Sequence, residues 1–128
     1  FRGSLFMSTL MENSMVAQNA TLQYCLIGRN TFIGANVTFT DFNLLSLPLK
    51  TMHKGRLHPA GLPILGGCIG HNCRIGAGLV FYPGRMVESD TVLVRSDERA
   101  VIRKNVSYEE SDHHRLVGGE THLRRYPR

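Results

Sequence analysis

Large apolar residues recur along the chain with a spacing of six residues, not with the spacing of a helix. Ile27-Gly28 is followed six residues later by Ile33-Gly34, and Ile69-Gly70 is followed six residues later by Ile75-Gly76. Nearly the same spacing links further apolar residues on both sides of these pairs: Val16, Leu22, Phe81, Val87 and Leu93. No period of 3.6 residues survives, and glycine recurs too often for a helix. The pattern predicts short strands separated by tight corners.

Two further positions repeat within each six-residue unit. A small or slender residue stands two places before the aliphatic one: Cys25, Thr31, Cys73 and Leu79. Each predicted corner holds a residue that tolerates positive φ: Asn30, Asn36, Asn72 and Gly78. Three units would close one triangular coil, and stacked coils would bury a continuous aliphatic column. The strands are too short and too regular for a β-sandwich, so we predict an all-β solenoid of about four coils.

The periodic pattern covers roughly residues 5–39 and 65–94, and it disappears between them. The intervening segment, residues 40–65, contains three prolines and is predicted to be a long excursion that serves function or assembly. We therefore divide the chain into coils over residues 1–94, broken by that excursion, and a polar cap or tail over 95–128. Ser107 and Glu110 match a capping-box pattern, which predicts a short helix over 108–115.

Composition narrows the class of protein. The 128 residues are 42% hydrophobic and 20% charged, as in one ordinary globular domain. No apolar run approaches the roughly 20 residues of a membrane span. The net charge is +5, and eight of the 15 Lys and Arg residues lie between residues 95 and 128, without a helical Lys/Arg stripe. This distribution favours a solvated basic tail over a nucleic-acid surface, with phosphate or cofactor binding as the alternative.

Cysteine and histidine usage does not indicate a metal site. The three cysteines are odd in number and form no CxxC pair, which is typical of buried thiols in a reducing cytoplasm. His113 and His114 are adjacent and would point to different sides, with no third ligand spaced to join them. The chain begins at Phe1 without a signal-peptide pattern, so we expect a cytoplasmic domain from a longer protein.

The tandem Ile-Gly units resemble the hexapeptide-repeat family, whose fold is a left-handed parallel β-helix. The handedness is what the resemblance implies. Asp41 and the run from Lys54 to Gly84 are similar to the C-terminal domain of sugar-1-phosphate nucleotidylyltransferases. The similarity is greatest to bifunctional enzymes that also acetylate an amino-sugar phosphate, and it spans roughly residues 11–93. It implies a homotrimer, with acetyl-coenzyme A in a groove between neighbouring copies and a sugar phosphate as the acceptor.

The same resemblance shows where the expected catalytic set is replaced. Active members use a histidine as general base, in a Pro-His-x-x-Tyr segment. Gln18 stands in place of that histidine, and a glutamine cannot accept the proton. Asp41 replaces an asparagine that helps hold the sugar, and its carboxylate would repel a phosphosugar. Lys50 matches the family's lysine. These matches imply a trimerising scaffold with an acetyltransferase-like groove that has largely lost its chemistry.

An active acyltransferase is the alternative, with His58 or His53 of the excursion as the base for transfer to a sugar amine or hydroxyl. Both histidines could equally be exposed loop residues without a role. The candidate coenzyme A contacts are Ala77, Arg95 and Lys104. A small residue suits any corner, however, and the two cations could simply be solvated.

Overall fold

The chain winds into a parallel β-solenoid of about five turns, seen in a computed structural model that describes residues 2–45, 48–116 and 124–126. Its turns build three parallel sheets, called here the first, second and third face. The first face contains β1 (Ser4–Phe6), β4 (Thr21–Gln23), β7 (Thr38–Phe39), β12 (Val80–Phe81) and β15 (Val101–Ile102). The second contains β2 (Thr9–Leu10), β5 (Leu26–Ile27), β10 (Cys68–Ile69) and β13 (Met86–Val87). The third contains β3 (Met15–Val16), β6 (Phe32–Ile33), β11 (Arg74–Ile75) and β14 (Val92–Leu93).

The all-β solenoid predicted from the period is confirmed, but the number of turns is larger than the four predicted. The register resumes after the loop that follows Leu93. There β15 pairs with β12, and Val106 forms a parallel bridge with Val87. These residues add a further turn beyond the end of the visible six-residue pattern.

Residues with positive φ occupy the corners between faces, as predicted. Asn30 and Asn72 turn the chain from the second face to the third, with φ of 54° and 55°. Asn36 and Gly78 turn it from the third face back to the first, with φ of 58° and 73°. Asparagine and glycine reach this left-handed region at low cost. They therefore allow two-residue strands to repeat at a short spacing.

The aliphatic residue of each unit points into the solenoid. Neighbouring turns place Ile27, Ile69 and Val87 in one register column of the second face. On the first face, the rings of Phe39 and Phe81 stack with their centroids 4.4 Å apart. The predicted inward residues are buried, except for Val16, which is half-buried at the edge of the core. Burial of this continuous column is the main source of stability.

The small or slender residue that stands two places before each inward aliphatic residue is buried as well. At one of these positions the side chain also forms hydrogen bonds. The Thr31 hydroxyl donates to the Gly70 carbonyl at 2.9 Å and accepts from the Cys73 N–H at 3.2 Å. Thr31 therefore satisfies backbone groups of the next turn inside the core. Cys25, Cys73 and Leu79 occupy the equivalent sites and are buried.

The C-terminal region covers one end of the solenoid. In place of a single helix over 108–115, it forms a 3₁₀ turn (Tyr108–Glu110) and a helical turn, α1 (His113–Leu116). The Glu110 carboxylate accepts the Ser107 N–H, as a capping box requires. The helix is interrupted because Ser111 and Asp112 instead hydrogen-bond to β14. Of the predicted tail, residues 117–123 and 127–128 lie outside the described residues.

Candidate functional site

Part of the excursion, residues 50–59, is a β-hairpin, whereas only a loop was predicted from its prolines. Its strands are β8 (Lys50–His53) and β9 (Arg56–Pro59), paired antiparallel. Lys54 and Gly55 form the two-residue turn, both with positive φ, which is the geometry that matches strand twist in tight hairpins. At the base of the excursion, the Leu65 N–H donates to the Asp41 carbonyl at 2.8 Å.

The hairpin is held beside the second face by contacts near its first strand. The Thr51 hydroxyl donates to the sulfur of Met86 at 3.8 Å. The Arg85 guanidinium donates to the carbonyls of Pro83 and Lys50, at 3.1 and 3.5 Å. Burial lowers the pKa of Arg85, but an arginine with so high an ordinary pKa remains charged at neutral pH. A fixed cation thus stands where the hairpin meets the solenoid.

Between the hairpin and the second face lies a groove with a volume of about 590 Å³. Leu26, Cys68 and Met86 are register partners whose side chains point outward from this face, and they form its floor. Thr51, Met52 and His53 line it from the hairpin. A smaller groove of about 310 Å³ shares Met52 and Met86 with the first, so the two are neighbours. The lining is mostly apolar, and methionine side chains adapt readily to the shape of a ligand.

The two histidine candidates lie together but differ in their relation to the groove. His53 and His58 are on opposite strands of the hairpin, with ring centroids 5.9 Å apart. Both side chains are exposed, but His53 lines the groove and His58 is not among the lining residues.

Asp41 precedes the hairpin along the chain, and Lys50 is its first residue. Asp41 is half-buried at the start of the excursion, where its main-chain carbonyl binds Leu65. Lys50 begins β8 and is exposed, and its main-chain carbonyl accepts from Arg85. Neither residue lines the groove.

The three candidate cofactor residues fall at two separate places. Ala77 is exposed at a corner, and the Arg95 guanidinium donates to the carbonyl of the adjacent Gly78 at 2.9 Å. Lys104 is in the last turn and pairs with the Glu110 carboxylate at 3.1 Å. The structure therefore brings Ala77 and Arg95 together and places Lys104 elsewhere. Lys104 is beside the smaller groove, which Glu110 lines.

The residues that form the floor of the groove were not predicted, although their position in the repeat indicates that they point outward. Leu26, Cys68 and Met86 each stand one residue before an inward aliphatic residue, so the alternation along a strand turns them outward. Arg85 has no comparable sequence signal, because its contacts depend on where the hairpin packs.

The thiols are protonated at neutral pH. Burial raises the pKa of all three cysteines, and it raises that of Cys73 to about 12. Cys25 and Cys73 are buried, as predicted, while Cys68 is half-buried in the groove floor. A protonated thiol is a weak nucleophile, so Cys68 contributes shape and polarisability to the groove.

Across the described ranges, no three His, Cys, Asp or Glu side chains are grouped so that they could hold a metal ion. Nor does any helix in those ranges have the length and apolarity to cross a membrane. The rings of His113 and His114 are 3.8 Å apart, and Nδ1 of His113 lies 2.6 Å from the Ser111 hydroxyl. His113 is therefore engaged in holding the C-terminal cap. No protein-family model matches the sequence, and no curated protein matches it.

Proposed function

We propose that this chain is a hexapeptide-repeat domain that acts mainly as a trimerising scaffold and carries, within one chain and not between copies, a groove for acetyl-coenzyme A or a related acyl carrier. The observation that carries the proposal is the apolar groove between the hairpin and the second face, with His53 and the fixed Arg85 cation on its lining. A thin, largely apolar pantetheine arm suits such a groove. The Arg85 cation on its lining suits a phosphate of the carrier.

The scaffold role is supported by the replaced general base. Gln18 is exposed in the first turn and is not among the lining residues. Its side-chain amide has no basic nitrogen that could take a proton from an attacking amine. Binding without efficient transfer is therefore the expected behaviour.

The proposed role of the groove is tested by filling it with a larger side chain. Acetyl-coenzyme A is titrated calorimetrically into the wild type, Met86→Trp and Met15→Trp. Met86 points outward in the groove, and Met15 is the equivalent outward residue on the third face. We expect binding to the wild type and to Met15→Trp, and at least a tenfold loss of affinity, about 1.4 kcal/mol, in Met86→Trp. Absence of binding to the wild type, or equal binding to both variants, would contradict a ligand role for the groove.

An active acyltransferase is the second candidate, favoured by the position of His53 in the groove lining. Release of free thiol from acetyl-coenzyme A in the presence of glucosamine-1-phosphate would reveal it. If His53 is the base, His53→Ala abolishes the release and the matched variant His58→Ala retains it. Binding without thiol release leaves the scaffold proposal in place.

A further inference from the structure

A second surface lies where the second face turns into the third, in the second to fourth turns of the solenoid, and it meets the smaller groove at Glu88. We call this surface the acidic corner and define it by Asn30, His71, Glu88 and Asp90. The C-terminal residues Arg124 and Tyr126 pack against it. Nη2 of Arg124 is 2.8 Å from Oε1 of Glu88. The Tyr126 N–H donates to Oδ2 of the fully buried Asp90 at 2.7 Å.

Aromatic contacts fix the same two C-terminal side chains. The Tyr126 ring lies 4.8 Å from the His71 ring, measured between centroids. The Asn30 amide donates to the Tyr126 hydroxyl at 3.4 Å. The Arg124 guanidinium lies 4.5 Å from the centre of the Tyr108 ring, within the range of a cation–π contact. One arginine and one tyrosine, separated by one residue, are thus each held by more than one group.

The corner is built by the solenoid itself. The Asn72 amide donates to Oδ1 of Asp90 at 2.8 Å, and the Asp90 N–H donates to the His71 carbonyl at 2.8 Å. The Arg29 N–H donates to Nδ1 of His71 at 2.9 Å, which orients the imidazole. Groups that are already oriented lose little entropy when a ligand binds, so such a surface suits recognition of a short segment.

Charge complementarity defines the kind of segment that fits. The corner presents the carboxylate of Glu88 to the arginine side chain and that of Asp90 to a main-chain N–H. Arg125, between the two held residues, is exposed. The determinant is therefore an arginine and a tyrosine flanking an unspecified residue.

We propose that the acidic corner is a docking site for an Arg-x-Tyr segment, that residues 124–126 occupy it within one chain, and that the same segment of a second copy can replace them. The C-terminal segment thereby becomes exchangeable between neighbouring copies. This inference is independent of the function proposed for the groove.

The test uses the full chain and a fluorescent peptide of residues 121–128, with binding measured by fluorescence anisotropy. The wild type is compared with the Arg124→Ala/Tyr126→Ala double variant, whose own segment no longer competes for the corner. We expect the peptide to bind the double variant at least tenfold more tightly, because a tethered segment competes at an effective concentration of about a millimolar. Adding Glu88→Gln to the double variant should weaken peptide binding at least fivefold.

Peptide variants provide the controls. A peptide carrying Arg125→Ala should bind as the native peptide does, and one carrying both Arg124→Ala and Tyr126→Ala should not bind. Circular dichroism checks that the Glu88→Gln chain is folded. Equal affinity for the wild type and the double variant would overturn the proposal. So would equal binding of the doubly substituted peptide, or no binding to the double variant at about millimolar peptide, the competing concentration of a tethered segment.

Discussion

Gly67 lies where the chain re-enters the solenoid after the excursion, and its backbone runs directly against the Phe39 ring. A Cβ at this position would lie 2.5 Å from Cδ1 and 2.7 Å from Cε1 of Phe39. The ring cannot turn away freely, because it is buried and stacked on Phe81. Glycine is thus required here for steric reasons, because there is no room for a methyl group between the backbone and the Phe39 ring.

We expect Gly67→Ala to lower the free energy of unfolding by about 1–3 kcal/mol, the usual cost of overpacking a core. Urea denaturation measures the change. Gly3→Ala is the matched control, because a Cβ at Gly3 would meet its nearest atoms at 3.8 Å, an ordinary contact distance. Its effect should stay within about 0.5 kcal/mol. Equal stability of the two variants would show that the Phe39 ring yields to the methyl group.

At the same scale, the sequence predicts some corners and not others. Asn30 and Asn72 were identified because asparagine tolerates positive φ. Tyr24 also adopts positive φ, at 52°, which a bulky residue rarely does. Its N–H donates to the Phe6 carbonyl of the preceding turn at 3.0 Å, so contacts between turns impose this geometry on it. Local preference alone could not reveal it.

Among the elements, the C-terminal cap takes the place of another strand on the third face. The Ser111 hydroxyl accepts the Val92 N–H, and the Asp112 carboxylate accepts the Val94 N–H, each at 2.8 Å. Asp112 also pairs with Arg99 at 2.8 Å. Side chains therefore satisfy donors at the end of the sheet that another turn of backbone would otherwise satisfy.

Replacing Asp112 by alanine should lower the free energy of unfolding by about 1–3 kcal/mol, because it leaves the Val94 N–H without its acceptor. Amide hydrogen exchange should show faster exchange at Val94, by about tenfold for each 1.4 kcal/mol lost locally. Asp97→Ala removes an exposed carboxylate from the preceding loop and should leave this exchange rate unchanged. Unchanged exchange in Asp112→Ala would mean that other groups hold the cap.

The hairpin and the interrupted helix show why elements outside the repeat were harder to predict. Lys54-Gly55 forms the hairpin turn, but lysine gives little sequence signal for positive φ. The capping box at Ser107 is real, yet the helix breaks at Ser111 because bonding to β14 competes with helix extension. In both places tertiary contacts outweighed the local signal. The same is true of the groove, whose floor follows from the repeat while its wall depends on the hairpin.

At the scale of the whole molecule, the excursion exposes several large apolar side chains to solvent. Leu44 and Leu45 are 88% and 77% exposed, and Phe42, Leu57 and Leu62 of the same segment are also exposed. Apolar surface of this kind usually marks a site of association. We therefore propose the excursion as the contact between copies in the trimer that the resemblance implies.

We expect sedimentation at micromolar protein to give the mass of three chains. The Leu44→Ser/Leu45→Ser double variant should dissociate, because it removes apolar area from the contact. Leu116→Ser changes an equally apolar, exposed residue on α1 and should remain trimeric. A monomeric wild type would contradict the trimer.

The excursion also affects how a protein of this kind can evolve. The chain leaves the first face after Phe39 and joins the second face at Cys68, and the Asp41 carbonyl and the Leu65 N–H meet at 2.8 Å between those points. The two ends of the insertion are therefore neighbours, and the turns above and below pair in register around it. A different insert could be grafted between them without altering the stack. The wall of the groove and the architecture can then be inherited separately, the first through a replaceable segment and the second through the repeat.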